Sequence, residues 1–202
     1  DLIANSKFPD ATIVCRTNNW GIGRHLIDAR RRLFDEQGYD RILLLEDDLV
    51  LGEHYVDTVF SIADWASKYD DIGTITAYHI NEHPIEQQKS QANHLIATNR
   101  HFWGYVITRK VWDEIKHIIY SFEQKYLVKS TYTNRAHRRI RWFFMAKWIN
   151  KQRQMKDNRL VPDSCVTAPF PRIPFRIATS QDAITALALW HHGYHRITTR
   201  VS

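Results

Sequence analysis

Three consecutive acids, Glu46-Asp47-Asp48, stand directly after the apolar run Arg41-Ile42-Leu43-Leu44-Leu45. Three carboxylates at the end of one rigid element make a concentrated negative site. Hard oxygen ligands of this kind suit Mg²⁺ or Mn²⁺, which bind a few carboxylates and fill their other positions with phosphate oxygens and water. A cation held there can neutralise a diphosphate leaving group. An arbitrary acidic triplet more often just opens the next helix. Here the apolar strand before it and Leu49-Val50-Leu51 after it favour the chemical reading.

Other side chains could complete such a site. Asn18 and Asn19 follow a strand-like run and could hydrogen-bond a base or ribose, or simply shape a turn. Arg24 could meet a diphosphate, or be a solvated helix residue. Trp103 could stack on a sugar ring, or pack in the core, and Gly104 beside it leaves room for close approach. The chain has eleven His, but His191-His192 and His195 lack the partner spacing of a structural zinc site.

Positioning these groups requires strands alternating with helices. Residues 11–16 (ATIVCR) read as a buried strand, and Asn18 to Gly23 as a loop. A helix with Leu26, Ile27, Ala29, Leu33 and Phe34 apolar ends near Gly38. Residues 41–45 form a second strand, apolar throughout as if covered on both faces. A helix follows with Tyr55, Val59, Ile62, Ala63 and Ala66 on one face, then a strand over 72–77. Residues 81–93 read as loop, and 102–108 as a loop that becomes a strand. A helix spans 110–125, with Val111, Ile115, Ile118, Ile119 and Phe122 on one side. The basic stretch 131–160 is expected to be helical and partly docked. Four prolines make 162–175 an irregular loop. Ser180 caps a final helix ending at Gly193, followed by a strand over 194–199. This alternation places the chain in the α/β class. One domain of 202 residues is expected, with a metal- and nucleotide-sugar-binding half at 1–108 and an acceptor-side half at 109–202.

The segment from Leu43 to Val50 resembles the Glu-Asp-Asp form of the metal motif in GT-A glycosyltransferases of the N-acetylglucosaminyltransferase I type. Asn19-Trp20-Gly21-Ile22-Gly23-Arg24 resembles the Asn-x-Gly-x-x-Arg element of family-two glycosyltransferases. His101-Phe102-Trp103-Gly104-Tyr105, with Arg109 and Trp112, is similar to the Trp-Gly segment lining their sugar pocket. Ser180-Gln181-Asp182 is similar to the segment that supplies the base in inverting members. The resemblance runs from about residue 12 to the C-terminus, and the order of the motifs is its strength. It implies a GT-A fold with a mixed, mostly parallel sheet. It implies Asp48 as the direct ligand of Mn²⁺ or Mg²⁺, with Glu46 and Asp47 at the ribose or the metal's water shell. Asp182 would deprotonate the acceptor hydroxyl, with inversion at the anomeric carbon. It further implies a first strand with a nucleotide contact ahead of Asp1, and beyond Ser202 a Gly-x-His that often adds a metal ligand. The helix dipole at Asp182 is expected to hold its pKa low, and Asp163 is its rival as base.

Composition narrows the partners. Residues 131–160 carry nine Lys and Arg against one acid, leaving 19 basic and 21 acidic residues elsewhere, so the excess of +6 is local. One basic surface follows, suited to an anionic acceptor or a membrane face. A solvated helix would look the same. The expected partners are a nucleoside-diphosphate sugar and a glycan or lipid-linked acceptor. Nucleic acid is not expected, because a nucleic-acid module would leave the acidic triplet idle. A nucleotidyltransferase would show a glycine-rich phosphate loop, which the sequence lacks. A binding scaffold without catalysis would look the same as an enzyme. Cys15 and Cys165 suggest no disulfide framework, and no apolar run is long enough to span a bilayer. The expected location is therefore cytoplasmic, in part at the inner membrane face.

Overall fold

The computed structural model describes residues 10–78, 83–98, 102–131, 133–144, 153–160 and 179–201. Helix α1 (Gly21–Arg31) runs on through a π-turn to Glu36 and stops before Gly38, whose φ of 83° is open to glycine at little cost. Strand β1 (Arg41–Leu44) follows, then α2 (Tyr55–Ala66), β2 (Ile72–Thr76), a short α3 (Ile85–Lys89), β3 (Leu95–Ala97) and β4 (Tyr105–Thr108). Helix α4 (Arg109–Phe122) starts where the Thr108 hydroxyl accepts from the Val111 amide and ends in a π-turn, Glu123–Leu127. Helices α5 (His137–Phe144) and α6 (Gln181–His191) and strand β5 (His195–Thr199) complete the order.

The five strands form one mixed sheet in the order β1-β4-β2-β5-β3. Only β2 and β5 pair in parallel; β1–β4, β4–β2 and β5–β3 are antiparallel. The expectation of a mostly parallel sheet is corrected here. Strands β1 and β2 do run the same way, but β4 returns between them and takes the ladder on both sides. Consequently β1, β2 and β5 all point their carboxyl ends at one edge, where β3 and β4 begin. Helices α1 and α6 precede strands that run toward that edge, so their amino ends open onto it as well.

Each face of the sheet is covered. On one side Ile27, Phe34, Trp112, Ile115, Ile119, Phe122, Ile184 and Leu187 of α1, α4 and α6 pack on Ile42, Leu44, Tyr105 and Ile107. On the other, Val59, Ala63 and Ala66 of α2 pack on Ile72, Ile75, Val106 and Ile197. Every residue of β2 and β5 is buried. Strand β1 is less covered than expected: Ile42 and Leu44 are buried, whereas Arg41 and Leu45 are exposed. It pairs only with β4 among the described strands.

Three other expectations change. Residues 11–16 form no strand: Ile13, Val14 and Cys15 are exposed. A strand needs a ladder for its backbone groups, and no described strand pairs with this segment. Instead Arg16 pairs with Asp28 and lies 4.1 Å above the Trp20 ring. Within 81–93, α3 replaces part of the loop, because Pro84 presets its first turn. Of the basic stretch, the described residues form helix in α5, whereas 153–160 is irregular and held by contacts such as Arg153 Nη2 to the Gly193 carbonyl at 2.9 Å; residues 132 and 145–152 lie outside the described residues. The proline loop at 162–175, with Asp163 and Cys165, lies outside the described residues. No helix among the described residues is long and apolar enough to cross a membrane.

Candidate active site

At the carboxyl edge, β1 ends in a tight turn in which the Leu49 amide donates to the Glu46 carbonyl at 3.3 Å. This turn sends the acids apart. Glu46 is half-buried and lines a cavity of about 660 Å³ with Asn19, Arg24, Arg135 and Asp182. Asp48 is exposed and lines a second cavity, of about 690 Å³, with Val50, Tyr55, Tyr78, Trp103 and Val201. Asp47 is exposed and lines neither.

The first cavity collects residues from four parts of the chain. Asn19 Oδ1 accepts from the Gly21 amide at 2.8 Å, so this side chain shapes the entry to α1 as well as the cavity wall. Asn18 is exposed and outside both linings. Arg24 rests 4.2 Å above the Trp20 ring, which holds the guanidinium by cation–π attraction at the cavity wall. Asp182 enters from the first turn of α6, whose N-cap is Ser180, its hydroxyl accepting from the Ala183 amide at 3.2 Å.

Burial and like charge raise the pKa of Glu46, with Asp182 the foremost of the neighbouring acids, ahead of Asp48 and Asp47. The pKa of Asp182 is also raised, by burial, against the opposing pull of Arg30 and Arg196. The dipole expectation is thereby corrected: removal from water outweighs the helix end. The consequence favours chemistry, since a carboxylate with a raised pKa is a better base.

Behind Asp182 stands a cation that sequence reasoning missed. Arg30 of α1 has no exposed surface. Its Nη2 donates to Gln181 Oε1 at 2.6 Å and its Nη1 to Tyr105 Oη at 3.3 Å and Thr185 Oγ1 at 3.2 Å. Gln181 Nε2 in turn donates to the Asp182 carboxylate. The signal was in the spacing: Ile27, Arg30 and Phe34 share one face of the helix, so a charge at 30 must enter the core. Arg196 of β5 is buried too, 3.8 Å from the Phe102 ring centre, and burial pulls its pKa down to about 10.

In the second cavity Trp103 is partly exposed and tilts against Tyr78 with ring centres 5.6 Å apart. Gly104 has a φ of 55°, and a Cβ there would lie 2.5 Å from Tyr55 Oη. The close approach this glycine permits is thus made by Tyr55, whose hydroxyl donates to the Gly104 carbonyl. Thr76 Oγ1 donates to the Trp103 carbonyl at 3.0 Å, fixing the same turn.

Among the described residues no group of three or more ligating side chains converges as a preformed metal cage. The donor set still fits a hard divalent cation, because such ions are content with one or two carboxylates and complete their shell from phosphate and water. After burial, the charges of Asp182, Asp48 and Asp47 add to the raised pKa of Glu46, and a cation at this edge would relieve that part of the cost. The chain matches no family model and no curated protein.

Proposed function

We propose that this chain is a metal-dependent glycosyltransferase with a GT-A fold that moves a sugar from a nucleoside-diphosphate sugar to a hydroxyl acceptor with inversion. One observation carries the reading. Strand β1 delivers Glu46-Asp47-Asp48 to the carboxyl edge of the sheet, the usual ligand edge of α/β proteins, and Asp182 shares a cavity with Glu46 there.

In this reading Asp48 holds Mn²⁺ or Mg²⁺, with Glu46 and Asp47 at the ribose or the metal's water shell. The metal, when bound, neutralises charge on the departing diphosphate. Asn19 and Arg24 line the donor side and meet its polar groups. Asp182 takes the proton from the acceptor hydroxyl as that oxygen bonds to the anomeric carbon. The bond from that carbon to the phosphate oxygen breaks, and the diphosphate leaves with the electron pair. Arg30, through Gln181, aims the Asp182 carboxylate. Trp103 offers a face to a sugar ring.

Calorimetric titration of UDP, GDP and dTDP, with and without Mn²⁺, tests this. Metal-dependent binding of one nucleotide is expected, lost in Asp48→Asn and kept in Asp182→Asn. Absence of nucleotide binding in every arm, or binding indifferent to Mn²⁺ and to Asp48→Asn, overturns the reading.

A further inference from the structure

Helix α5 turns an unusual face to solvent. Ile140 and Phe144 are buried, and Phe144 packs on Phe122 of α4 with ring centres 5.8 Å apart. At 100° per residue, the direction opposite that buried stripe is occupied by Arg138 and Trp142, with Arg139 and Arg141 on either side. All four are exposed, and Trp142 is 75% exposed. A helix that merely meets water has no use for its largest apolar side chain at the outermost position. Arg138, Arg139 and Arg141 form no ion pair with an acid among the described residues, and Lys125 adds a fourth cation, 4.0 Å from the Phe143 ring centre. An aromatic tip ringed by cations is the composition of a helix that lies at a lipid headgroup layer, indole at the boundary and guanidinium groups on phosphate.

Placement ties this face to the site. Arg135, two residues before α5, lines the cavity of Glu46 and Asp182, and its Nη1 donates to the Thr179 carbonyl at 2.6 Å. His137, the first residue of α5, hydrogen-bonds the Thr179 hydroxyl. The amino ends of α5 and α6 are therefore pinned together at the cavity rim.

We infer that the outward face of α5 docks on an anionic lipid bilayer, through Trp142 and the guanidinium groups of Arg138, Arg139 and Arg141, and so brings the cavity mouth at Arg135 to headgroup level. A helix face with one outward aromatic tip among the described residues fits a fluid, uniformly anionic plane. A nucleic-acid strand is gripped instead by a groove with successive stacking platforms.

The test is co-sedimentation with vesicles of phosphatidylcholine alone and of phosphatidylcholine mixed with phosphatidylglycerol, at low and high salt. Binding to the mixed vesicles only is expected, weakening with salt. Each of Arg138→Gln, Arg139→Gln and Arg141→Gln is expected to weaken partitioning about fivefold. Trp142→Ala is expected to weaken it without altering the salt dependence. These side chains are exposed, so circular dichroism should show all four variants folded. Equal binding to both vesicle types, no binding to either, or unchanged partitioning of the variants overturns the inference. So does displacement of the protein from vesicles by an oligouridine that binds it more tightly, which would give the face to nucleic acid. Nucleotide titration is unaffected by any of these outcomes, so the surface and the catalytic reading fail separately.

Discussion

Replacing Arg30 with Met removes a fully buried cation while keeping most of its apolar stem. Three of its contacts decide the cost: Gln181 Oε1 at 2.6 Å, Tyr105 Oη at 3.3 Å and Thr185 Oγ1 at 3.2 Å. Thr185 keeps a partner, because its hydroxyl donates to the Gln181 carbonyl at 2.8 Å. Gln181 Oε1 and Tyr105 Oη lose a charged donor, at about 1–3 kcal/mol for each group left unsatisfied. Relief from burying the guanidinium offsets part of that sum, so a loss of about 3 kcal/mol is expected, near the low end for breaking a buried charged network. Urea unfolding at neutral pH measures it, with Gln181→Leu and the double variant closing a cycle. A coupling of about 1–2 kcal/mol between the two is expected for groups in direct contact. The pH dependence has a definite sign. Arg30 favours the ionised form of Asp182, whose pKa burial has already raised. The cost of Arg30→Met is therefore largest where Asp182 is charged, and shrinks as pH falls through the Asp182 titration. A loss below about 1 kcal/mol, or strict additivity with Gln181→Leu, would refute the idea that Arg30 holds this corner of the site.

Further outcomes can be checked on stability. Gly104→Ala puts a Cβ 2.5 Å from Tyr55 Oη at a φ of 55° and is expected to cost about 3 kcal/mol, from left-handed strain and overpacking together. In a Tyr55→Phe background the same change should cost about 1 kcal/mol less, and an equal cost in both backgrounds removes the Tyr55 explanation. Burial, with Arg153 and Arg159, holds the pKa of His195 down to about 3, and burial, with His191 and His117, holds His192 down to about 4. Both are neutral in the folded protein, so the unfolded chain takes up the protons first as pH drops below about 6.5. Thermal unfolding followed from pH 7 to pH 5 should show a falling midpoint, flattened in His195→Gln and His192→Gln, and a level profile contradicts it.

What the sequence alone determined was whatever rests on neighbours along the chain. The faces of α2 and α4, the Ser180 cap of α6, the glycine that ends the first helix and the strand that delivers the acidic triplet were all legible. Each depends on periodicity or on a bond within a few residues. Arg30 was half legible, since its place between Ile27 and Phe34 put it in the core without naming Gln181 as its partner. Tertiary structure decided the rest. Residues 11–16 have the composition of a strand, yet strand formation depends on a ladder partner that composition cannot supply. The direction of β4 between β1 and β2 made the sheet mixed, and no local pattern records which strands become neighbours. The pKa of Asp182 followed suit. A first-turn carboxylate looks acidic by the helix dipole, but burial in the folded chain is the larger effect, even against the pull of Arg30 and Arg196 from distant parts of the sequence. Distance in sequence likewise separates Glu46 from Asp182, so only folding could put two raised carboxylates on one cavity.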